Sequence, residues 1–235
     1  MTTTQLAPQQ VTPAHPGNSR RTATPVIAFL GTGRMGGPMA ANLARAGFRV
    51  QAWDRTASHA AALIKDGATA AASPAEAVKG AGILITMLAD GPAADQVRNG
   101  SDGLAAAGPG LIWVQMATVG IEWTQRFANT AGRYGVHFFD APVCGPAQAG
   151  ELTILASGPQ WMAQDVAPVF GTLGRATAWL GPAGNGTRAK LVLNHWLADL
   201  TETTAEALSF ARQLDLDPAV IGDLLESTPH PGATV

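Results

Sequence analysis

Three glycines near the start of the chain are spaced as in turns that bind phosphate groups. Gly31, Gly33 and Gly36 follow the apolar run at residues 26–30, and the small residues after them favour a helix. In such a strand–turn–helix the first glycine permits a tight turn, the second lets the backbone approach a pyrophosphate, and the third allows close helix packing. The free N–H groups and positive dipole at the start of the helix would hold the phosphates. An ordinary glycine turn is the alternative, and the strand–turn–helix context favours a dinucleotide site.

A lysine and an asparagine further along the chain have the spacing and surroundings to carry proton transfer. Lys190 and Asn194 lie in a largely apolar stretch, where a separation of four residues places them on one helix face. A charged amine in a buried helix is costly unless it is paired or its pKa is altered, and such a lysine can serve as general acid or base. The alternative is a lysine that extends to water from the first helical turn. His195 faces about 100° away on the helix and is expected to pack or to face a partner.

Asp54 and Arg55 bear on the choice of cofactor because they end the second predicted strand, residues 48–53. Asp54 lies 23 residues after Gly31, near the position where a dinucleotide fold contacts the adenosine ribose. A carboxylate there accepts hydrogen bonds from ribose hydroxyls and favours NAD, whereas Arg55 can pair with a 2′-phosphate and favours NADP. A surface Asp-Arg turn is the alternative. The two signals conflict, and on balance they favour NADP slightly.

The composition indicates a globular protein with no charged surface for nucleic acid. The chain has 235 residues, of which 46% are hydrophobic, and a formal net charge of −2, so neither nucleic acid nor an anionic membrane is expected as partner. One cysteine excludes an intrachain disulfide and fits a reducing cytoplasm. No apolar run is long enough to span a membrane, and no group of His, Cys and carboxylates has the spacing of a metal site.

Strand-like and helix-like stretches alternate from residue 26 to about 181. This alternation predicts an α/β fold with a Rossmann-type doubly wound, mainly parallel sheet over residues 25–184. Residues 1–24, rich in Thr, Gln and Pro, are expected to be a disordered tail. Arg20 and Arg21 precede no proper export signal, so a cytoplasmic location is expected. Residues 185–235 are expected to begin an all-α domain with one long helix and a second helix from Asp217.

Longer motifs resemble the β-hydroxyacid dehydrogenase family, which includes 3-hydroxyisobutyrate dehydrogenases and glyoxylate or succinic semialdehyde reductases. Residues 31–43, GTGRMGGPMAANL, resemble the family signature, and residues 140–145, DAPVCG, resemble its substrate-binding segment. Residues 184–194 match the family pattern GxGxxxKxxxN. The resemblance covers residues 26–226. It implies hydride transfer between nicotinamide C4 of NADP or NAD and a small β-hydroxy acid, aldehyde or keto acid.

The resemblance also implies roles for individual residues. Lys190 would be the general acid of carbonyl reduction and the base of alcohol oxidation, and Asn194 would orient the substrate oxygen or Lys190. Leu88 is equally well explained by packing, and Thr118 by a helix cap. The substrate would contact Thr118, Cys144, Gly145, Lys190 and Asn194. The cofactor would contact Gly31, Thr32, Gly33, Arg34, Met35, Gly36, Asp54, Arg55, Thr56, Leu88, Ala89 and Thr118.

The chain departs from the family pattern in the substrate loop and at its C-terminal end. Cys144 stands where serine is common, and Pro146, which has no N–H, stands where a small residue is usual, so the turn expected to bind a substrate carboxylate is altered. The further family helices, which carry a second Lys-Asp motif, have no counterpart after Ser227, so the helical domain is expected to be incomplete. The long helix that begins near residue 186 would then expose apolar surface, which predicts a homodimer through this helix.

Two other functions stay open at this stage. A cofactor-binding homologue with little or no turnover is consistent with the absent helices. An imine reductase-like enzyme would share the fold, although Lys190 argues against it because imine reductases generally lack a lysine at this position.

Overall fold

The computed structural model describes residues 12–13, 25–99, 108–146 and 150–227, with side chains over 25–95, 108–146 and 150–227. Backbone contacts divide the chain into two compact units, Met1–Lys190 and Leu191–Val235. The expected disordered tail, residues 1–24, lies outside the described residues except for the short strand β1 (Thr12–Pro13). Residues 228–235, where the helical pattern is expected to break, and residues 147–149 of the substrate loop lie outside them as well.

The main sheet of the first unit has six parallel strands. Counted along the chain within this sheet, their spatial order is 3-2-1-4-5-6, the order of dinucleotide-binding folds. All neighbouring strands pair in parallel. The predicted Rossmann-type doubly wound sheet is therefore confirmed. In spatial order the strands are β4 (Thr69–Ala70), β3 (Arg49–Trp53), β2 (Val26–Leu30), β5 (Ile83–Thr86), β6 (Ile112–Gln115) and β7 (His137–Asp140).

The later strands form a second sheet instead of extending the first. After Asp140 the chain continues in the same direction into β8 (Val143–Cys144), and β9 (Leu152–Ala156) then returns antiparallel to it. β10 (Gly174–Trp179) then pairs with β9 in parallel, and β1 pairs with the far edge of β10. The alternation of strands and helices up to residue 181 does not reveal this division, because a short antiparallel return leaves no separate periodicity in the sequence.

Helices cover both faces of the main sheet. On one face α1 (Gly36–Arg45) and α6 (Ala163–Leu173) pack on apolar side chains of β2 and β5, and on the other face α3 (Pro74–Val78) and α5 (Ile121–Arg133) do so. The start of α3 follows the sequence prediction, since Ser73 Oγ accepts a hydrogen bond from Glu76 N at 3.2 Å. Among the described residues of the first unit there are also the helices α2 (Ala57–Ala61) and α4 (Gly91–Asn99) and 3-10 turns at Ile64–Asp66 and Gln160–Met162.

The long helix α7 (Asn185–Gln213) begins in the first unit and continues into the second, where α8 (Pro218–Ser227) follows it. In the second unit several large apolar side chains are exposed, among them Val192 at 69% and Trp196 at 58%. Within the described parts of the chain, every helix is too short or too polar to cross a bilayer.

Aromatic packing on one face of the main sheet generates a stability prediction. Phe127 is fully buried in α5, with its ring centroid 5.3 Å from that of Trp113 and 5.8 Å from that of Trp123. We expect Phe127→Ala to lower the free energy of unfolding by about 3–5 kcal/mol, because it removes a buried ring and leaves a cavity. Urea unfolding followed by circular dichroism measures this difference. Tyr134→Ala is the control, since Tyr134 ends the same helix but is 48% exposed, and equal losses in the two variants would contradict the prediction.

Candidate active site

A cleft of about 810 Å³ opens at the carboxyl ends of the central strands of the main sheet. Its wall is formed by the glycine turn after β2, residues 53–56 after β3, residues 87–90 after β5 and residues 117–118 after β6. The order of the strands reverses between β2 and β5, and ligands of open parallel sheets bind at such a switch point. The cleft is therefore where the fold itself favours a cofactor.

The cleft brings together nearly all residues that the sequence assigned to the cofactor. Of those twelve residues, all except Thr32 line it, including Leu88, Ala89 and Thr118. Thr32, within the same turn, is instead buried, and its Oγ1 has no hydrogen-bond partner among the described residues. The sequence did not single out His59, which also lines the cleft; its position on α2, one helical turn after the strand-end motif, is the signal that would have found it.

The structure gives different reasons for the presence of glycine at the three motif positions. Gly31 has φ +95°, and a Cβ there would collide with the Met87 carbonyl; a Cβ on Gly36 would collide with the Gly31 carbonyl. These two glycines are required by the turn and by helix packing. A Cβ on Gly33 would meet nothing within 4 Å, because it would extend into the cleft. The fold therefore does not need glycine at position 33, whereas a pyrophosphate that lies against the backbone does, and the residues fit a dinucleotide.

Asp54 ties the end of β3 to the glycine turn. Its Oδ2 accepts a hydrogen bond from Thr32 N at 2.8 Å, and its Oδ1 accepts one from Thr56 N at 2.9 Å. Nδ1 of His59 lies 3.3 Å from the same Oδ1. Much of the acceptor capacity of this carboxylate is therefore used by the protein, while Arg55 beside it is exposed at the cleft wall.

Lys190 lies near the start of α7 and contacts the segment after β7. Its Nζ donates a hydrogen bond to Cys144 Sγ at 3.4 Å, and both side chains are half-buried. Neither residue is part of the cleft lining, and Gly145 is not part of it either. Asn194 is exposed and lies one turn further along α7, in the second unit. The structure thus pairs two of the expected substrate residues, and it places Thr118 at the cleft with the cofactor residues.

A buried polar network at the start of α7 has no counterpart in the sequence interpretation. The Asp140 carboxylate accepts hydrogen bonds from Thr187 N and Thr187 Oγ1, each at 2.7 Å. Ser157 Oγ donates to the Asp140 carbonyl oxygen at 2.9 Å and accepts from Gly186 N at 2.9 Å. Thr124 Oγ1 lies 3.1 Å from Thr187 Oγ1. We call these five residues the Asp140 network. The sequence pattern that could have predicted it is an aspartate at the end of an apolar strand, followed later by a Gly-Thr pair at the start of a helix.

Burial raises the pKa of the Asp140 carboxyl above its ordinary value, because an ionised carboxylate loses hydration inside the protein. Hydrogen bonds from Thr187, Ser157 and the Gly184 N–H oppose this rise because they favour the ionised form. In the parts of the chain that the structure describes, no three His, Cys, Asp or Glu side chains are grouped so that they could hold a metal ion.

Comparison with known proteins agrees with this geometry. Residues 26–181 match the family model described as the NAD binding domain of 6-phosphogluconate dehydrogenase. The 3-hydroxyisobutyrate dehydrogenase of Pseudomonas aeruginosa is 37% identical over 207 residues, which cover 86% of this chain and 69% of that protein. Glyoxylate/succinic semialdehyde reductase 1 of Arabidopsis thaliana is 34% identical over 85% of this chain and 71% of that protein. The chain belongs to the β-hydroxyacid dehydrogenase family.

Solved structures extend the comparison to the fold of this family. The 3-hydroxyisobutyrate dehydrogenase of Mycobacterium tuberculosis with L-serine has a TM-score of 0.80 and 31% identity, over 87% of this chain and 71% of that one. An imine reductase of Aspergillus terreus has a TM-score of 0.78 at 25% identity, over 87% of this chain and 72% of that one. The chain is thus part of a family of NAD(P)-dependent oxidoreductases in which β-hydroxyacid dehydrogenases and imine reductases share one architecture.

Proposed function

We propose that this chain catalyses the reversible reduction of a small aldehyde or keto acid to the corresponding alcohol or hydroxy acid, with Lys190 as general acid and base. The observation that carries the proposal is the hydrogen bond from Lys190 Nζ to Cys144 Sγ. It places an amine with protons to donate against the segment, residues 140–145, that resembles the substrate-binding segment of the family. The names of the similar dehydrogenases and reductases support the same reaction class.

The cofactor would be held by the glycine turn and by the strand ends around the cleft. Gly33 leaves room for the pyrophosphate, and residues 87–90 and 117–118 supply the opposite wall. When bound, the nicotinamide supplies or accepts the hydride. Thr118 offers a hydroxyl at the wall of the cleft, where it would help to orient the reacting carbonyl group.

Lys190 would deliver a proton to the substrate oxygen during reduction and remove it during oxidation. A thiol is a weak hydrogen-bond acceptor, so the contact with Cys144 orients the amine of Lys190 without a strong competing partner. The adjacent turn begins at Gly145, which has φ +102°, and continues into Pro146, which has no N–H to donate. Fewer backbone donors then face a substrate carboxylate than in a glycine-rich turn, which favours a small substrate held mainly through its reacting oxygen.

The proposed role of Lys190 predicts a specific kinetic loss. We expect Lys190→Met to lower kcat by about 10²–10⁴-fold, because general acid–base catalysis typically contributes that much, while the Kd of NADPH stays within twofold. Initial rates would be measured with glyoxylate, succinic semialdehyde and 3-hydroxyisobutyrate, and cofactor binding by calorimetry. Lys65→Met is the matched control, since Lys65 is exposed on a 3-10 turn.

Each result of that experiment decides between functions. Cofactor binding by the wild type without turnover of any substrate would contradict the proposal and favour a binding homologue with little catalysis. Turnover of cyclic imines that Lys190→Met retains would favour an imine reductase-like enzyme, a function suggested by the similarity to the Aspergillus terreus structure.

We propose NADP(H) as the preferred cofactor, although the family fold accommodates both nicotinamide dinucleotides. Asp54 already accepts hydrogen bonds from Thr32 N and Thr56 N, so it holds the turn and has less capacity for ribose hydroxyls. Arg55, Arg34 and His59 line the same part of the cleft and offer positive or proton-donating groups to a 2′-phosphate.

Removing the guanidinium at the cleft wall tests this preference. We expect Arg55→Ala to raise the Kd of NADPH about tenfold, equivalent to about 1.4 kcal/mol, and to change the Kd of NADH less than twofold. Calorimetric titration with both cofactors measures this, with Arg133→Ala as control because Arg133 is exposed at the end of α5. Equal losses for NADPH and NADH in Arg55→Ala would show that Arg55 does not recognise the 2′-phosphate.

We propose a homodimer formed through α7. Val192, Trp196 and Leu200 recur every fourth residue, so they share one helix face, and all three are exposed. Apolar side chains grouped in this way on a helix indicate an interface. A second copy of the chain presents the same stripe, and an antiparallel or crossed pair of such helices would bury both.

Charge inserted into this stripe should separate the proposed dimer. We expect the wild type to sediment as a dimer at micromolar concentration and Trp196→Glu as a monomer, because a buried unpaired carboxylate is costly. Trp161→Glu is the matched control, since Trp161 is 73% exposed in the first unit and lies outside α7. A wild-type chain that sediments as a monomer would contradict the dimer.

A further inference from the structure

Two separate sets of contacts join α7 to the segment that follows β7. At one end the Asp140 network binds the first turn of the helix, through Gly186 N and both hydrogen-bonding groups of Thr187. At the other end Lys190 Nζ contacts Cys144 Sγ. The two sets of contacts therefore close a loop, whose two sides are residues 140–144 and residues 186–190. Asp140 lies at one end of this loop, and Lys190, the proposed proton donor, lies at the other.

The strand side of this loop is held in register by the second sheet. Asp140 pairs with Ser157 in an antiparallel bridge, Leu155 N donates to Pro142 O at 2.9 Å, and Cys144 pairs with Thr153 in the β8–β9 ladder. The four residue steps from Asp140 to Cys144 span about 13 Å in an extended segment. Because this segment is paired with residues 153–157 from one end to the other, the position of Cys144 is fixed relative to Asp140.

Asp140 fixes the helix side of this loop, both in its distance from the strand segment and in its rotation about the helix axis. One carboxylate oxygen binds Thr187 N and the other binds Thr187 Oγ1, so the contact has two points and resists rotation of the first turn about the helix axis. Slippage of α7 by one residue would turn Lys190 by about 100°. A Cβ on Gly186 would collide with the Asp140 and Leu155 carbonyls, which shows how closely the helix start lies on these strands.

The energetic cost of the network points to a role beyond stability. Asp140, Ser157 and Thr187 have no exposed surface, and a buried carboxylate is expensive compared with an apolar group of similar volume, even when it is fully hydrogen-bonded. The N–H groups that start α7 are also all used: Asn185 N binds Pro182 O, and Arg188 N binds Gly184 O. The start of the helix thus contacts the strand segment directly and leaves no free N–H for an anion.

We propose that Asp140, acting with Thr187 and Ser157, is a positioning residue that holds Lys190 beside Cys144 by fixing the first turn of α7 to the end of β7. This inference rests on the proposed role of Lys190. Asp140 would not touch the reacting atoms; its effect passes through the orientation of α7.

The single cysteine of the chain allows a test that needs no turnover. Cys144 is its only thiol, so the rate of its alkylation by iodoacetamide at a fixed pH reports whether Lys190 lies against Sγ in the full-length chain. Lys190→Ala removes the side chain that covers Sγ and should raise this rate about threefold or more, because a more exposed thiol is alkylated faster. Thr187→Val removes only the hydroxyl that binds Asp140 and should also raise the rate, because the first turn of α7 is then released. Thr187→Ser keeps the hydroxyl and should retain the wild-type rate.

Kinetic constants provide the second readout. Thr187→Val and Asp140→Asn should lower kcat tenfold or more while the Kd of NADPH changes less than twofold, and Thr187→Ser should retain kcat. Thr172→Val is the control for loss of a helical hydroxyl, since Thr172 Oγ1 donates to Pro168 O on the exposed side of α6. If Asp140→Asn does not fold, the Thr187 pair still tests the proposal.

The outcomes separate this inference from the proposed function. If Lys190→Ala raises the alkylation rate but Thr187→Val leaves both this rate and kcat as in Thr172→Val, the positioning role is overturned. If the wild type shows no turnover while Thr187→Val raises the alkylation rate and Thr187→Ser does not, the network positions Lys190 and the proposed reaction is wrong. Equal alkylation rates in Thr187→Val and Thr187→Ser would also overturn the proposal.

Discussion

The connection between the main sheet and helix α7 depends on the hydrogen bonds of one buried carboxylate, that of Asp140. It stands at the end of the last strand of the main sheet, where the chain continues into the second sheet, and it binds the first turn of α7. A carboxylate with no exposed surface is tolerated only because Thr187 and backbone N–H groups satisfy its oxygens. Burial and hydrogen bonding act in opposite directions on its pKa, and burial dominates.

A second carboxylate, that of Asp54, supports the cleft in a comparable way. Asp54 holds the turn after β2 from its position after β3, and two of the three motif glycines exist because neighbouring backbone leaves no room for a Cβ. Gly33 alone faces open space. A carboxylate with a supporting role at the cleft wall and an exposed arginine beside it give a physical basis for the proposed NADP(H) preference. The same comparison explains why Asp54 and Arg55 gave conflicting signals, since the sequence shows residue types but not which acceptors are already used.

Periodicity and composition were sufficient for five of the six strands of the main sheet, but they missed its two-residue edge strand β4 and failed for the strands after Asp140. The strands of the main sheet are short apolar runs separated by helices, and such a pattern has one common solution, a doubly wound parallel sheet. The strands after Asp140 have the same appearance but belong to a second sheet, because β9 returns antiparallel along β8. A return of a few residues is decided by pairing partners distant in the sequence. Similarly, the lysine motif was visible, whereas its contact with Cys144 depends on how β8 and α7 are placed in space.

The sequence by itself determined the family, the Rossmann-type sheet and the location of the dinucleotide cleft, because each depends on residue types at fixed short spacings. A glycine turn, a strand and a helix start are local, and their chemistry can be recognised within some thirty residues. The cytoplasmic location, the homodimer and the exact substrate stay predictions. Only the tertiary structure decided that Asp140, Ser157 and Thr187 meet, that Asp54 supports the turn, and that Lys190 reaches Cys144. These contacts join residues up to 47 positions apart, and a buried hydrogen bond of that range leaves no periodic signal in the chain.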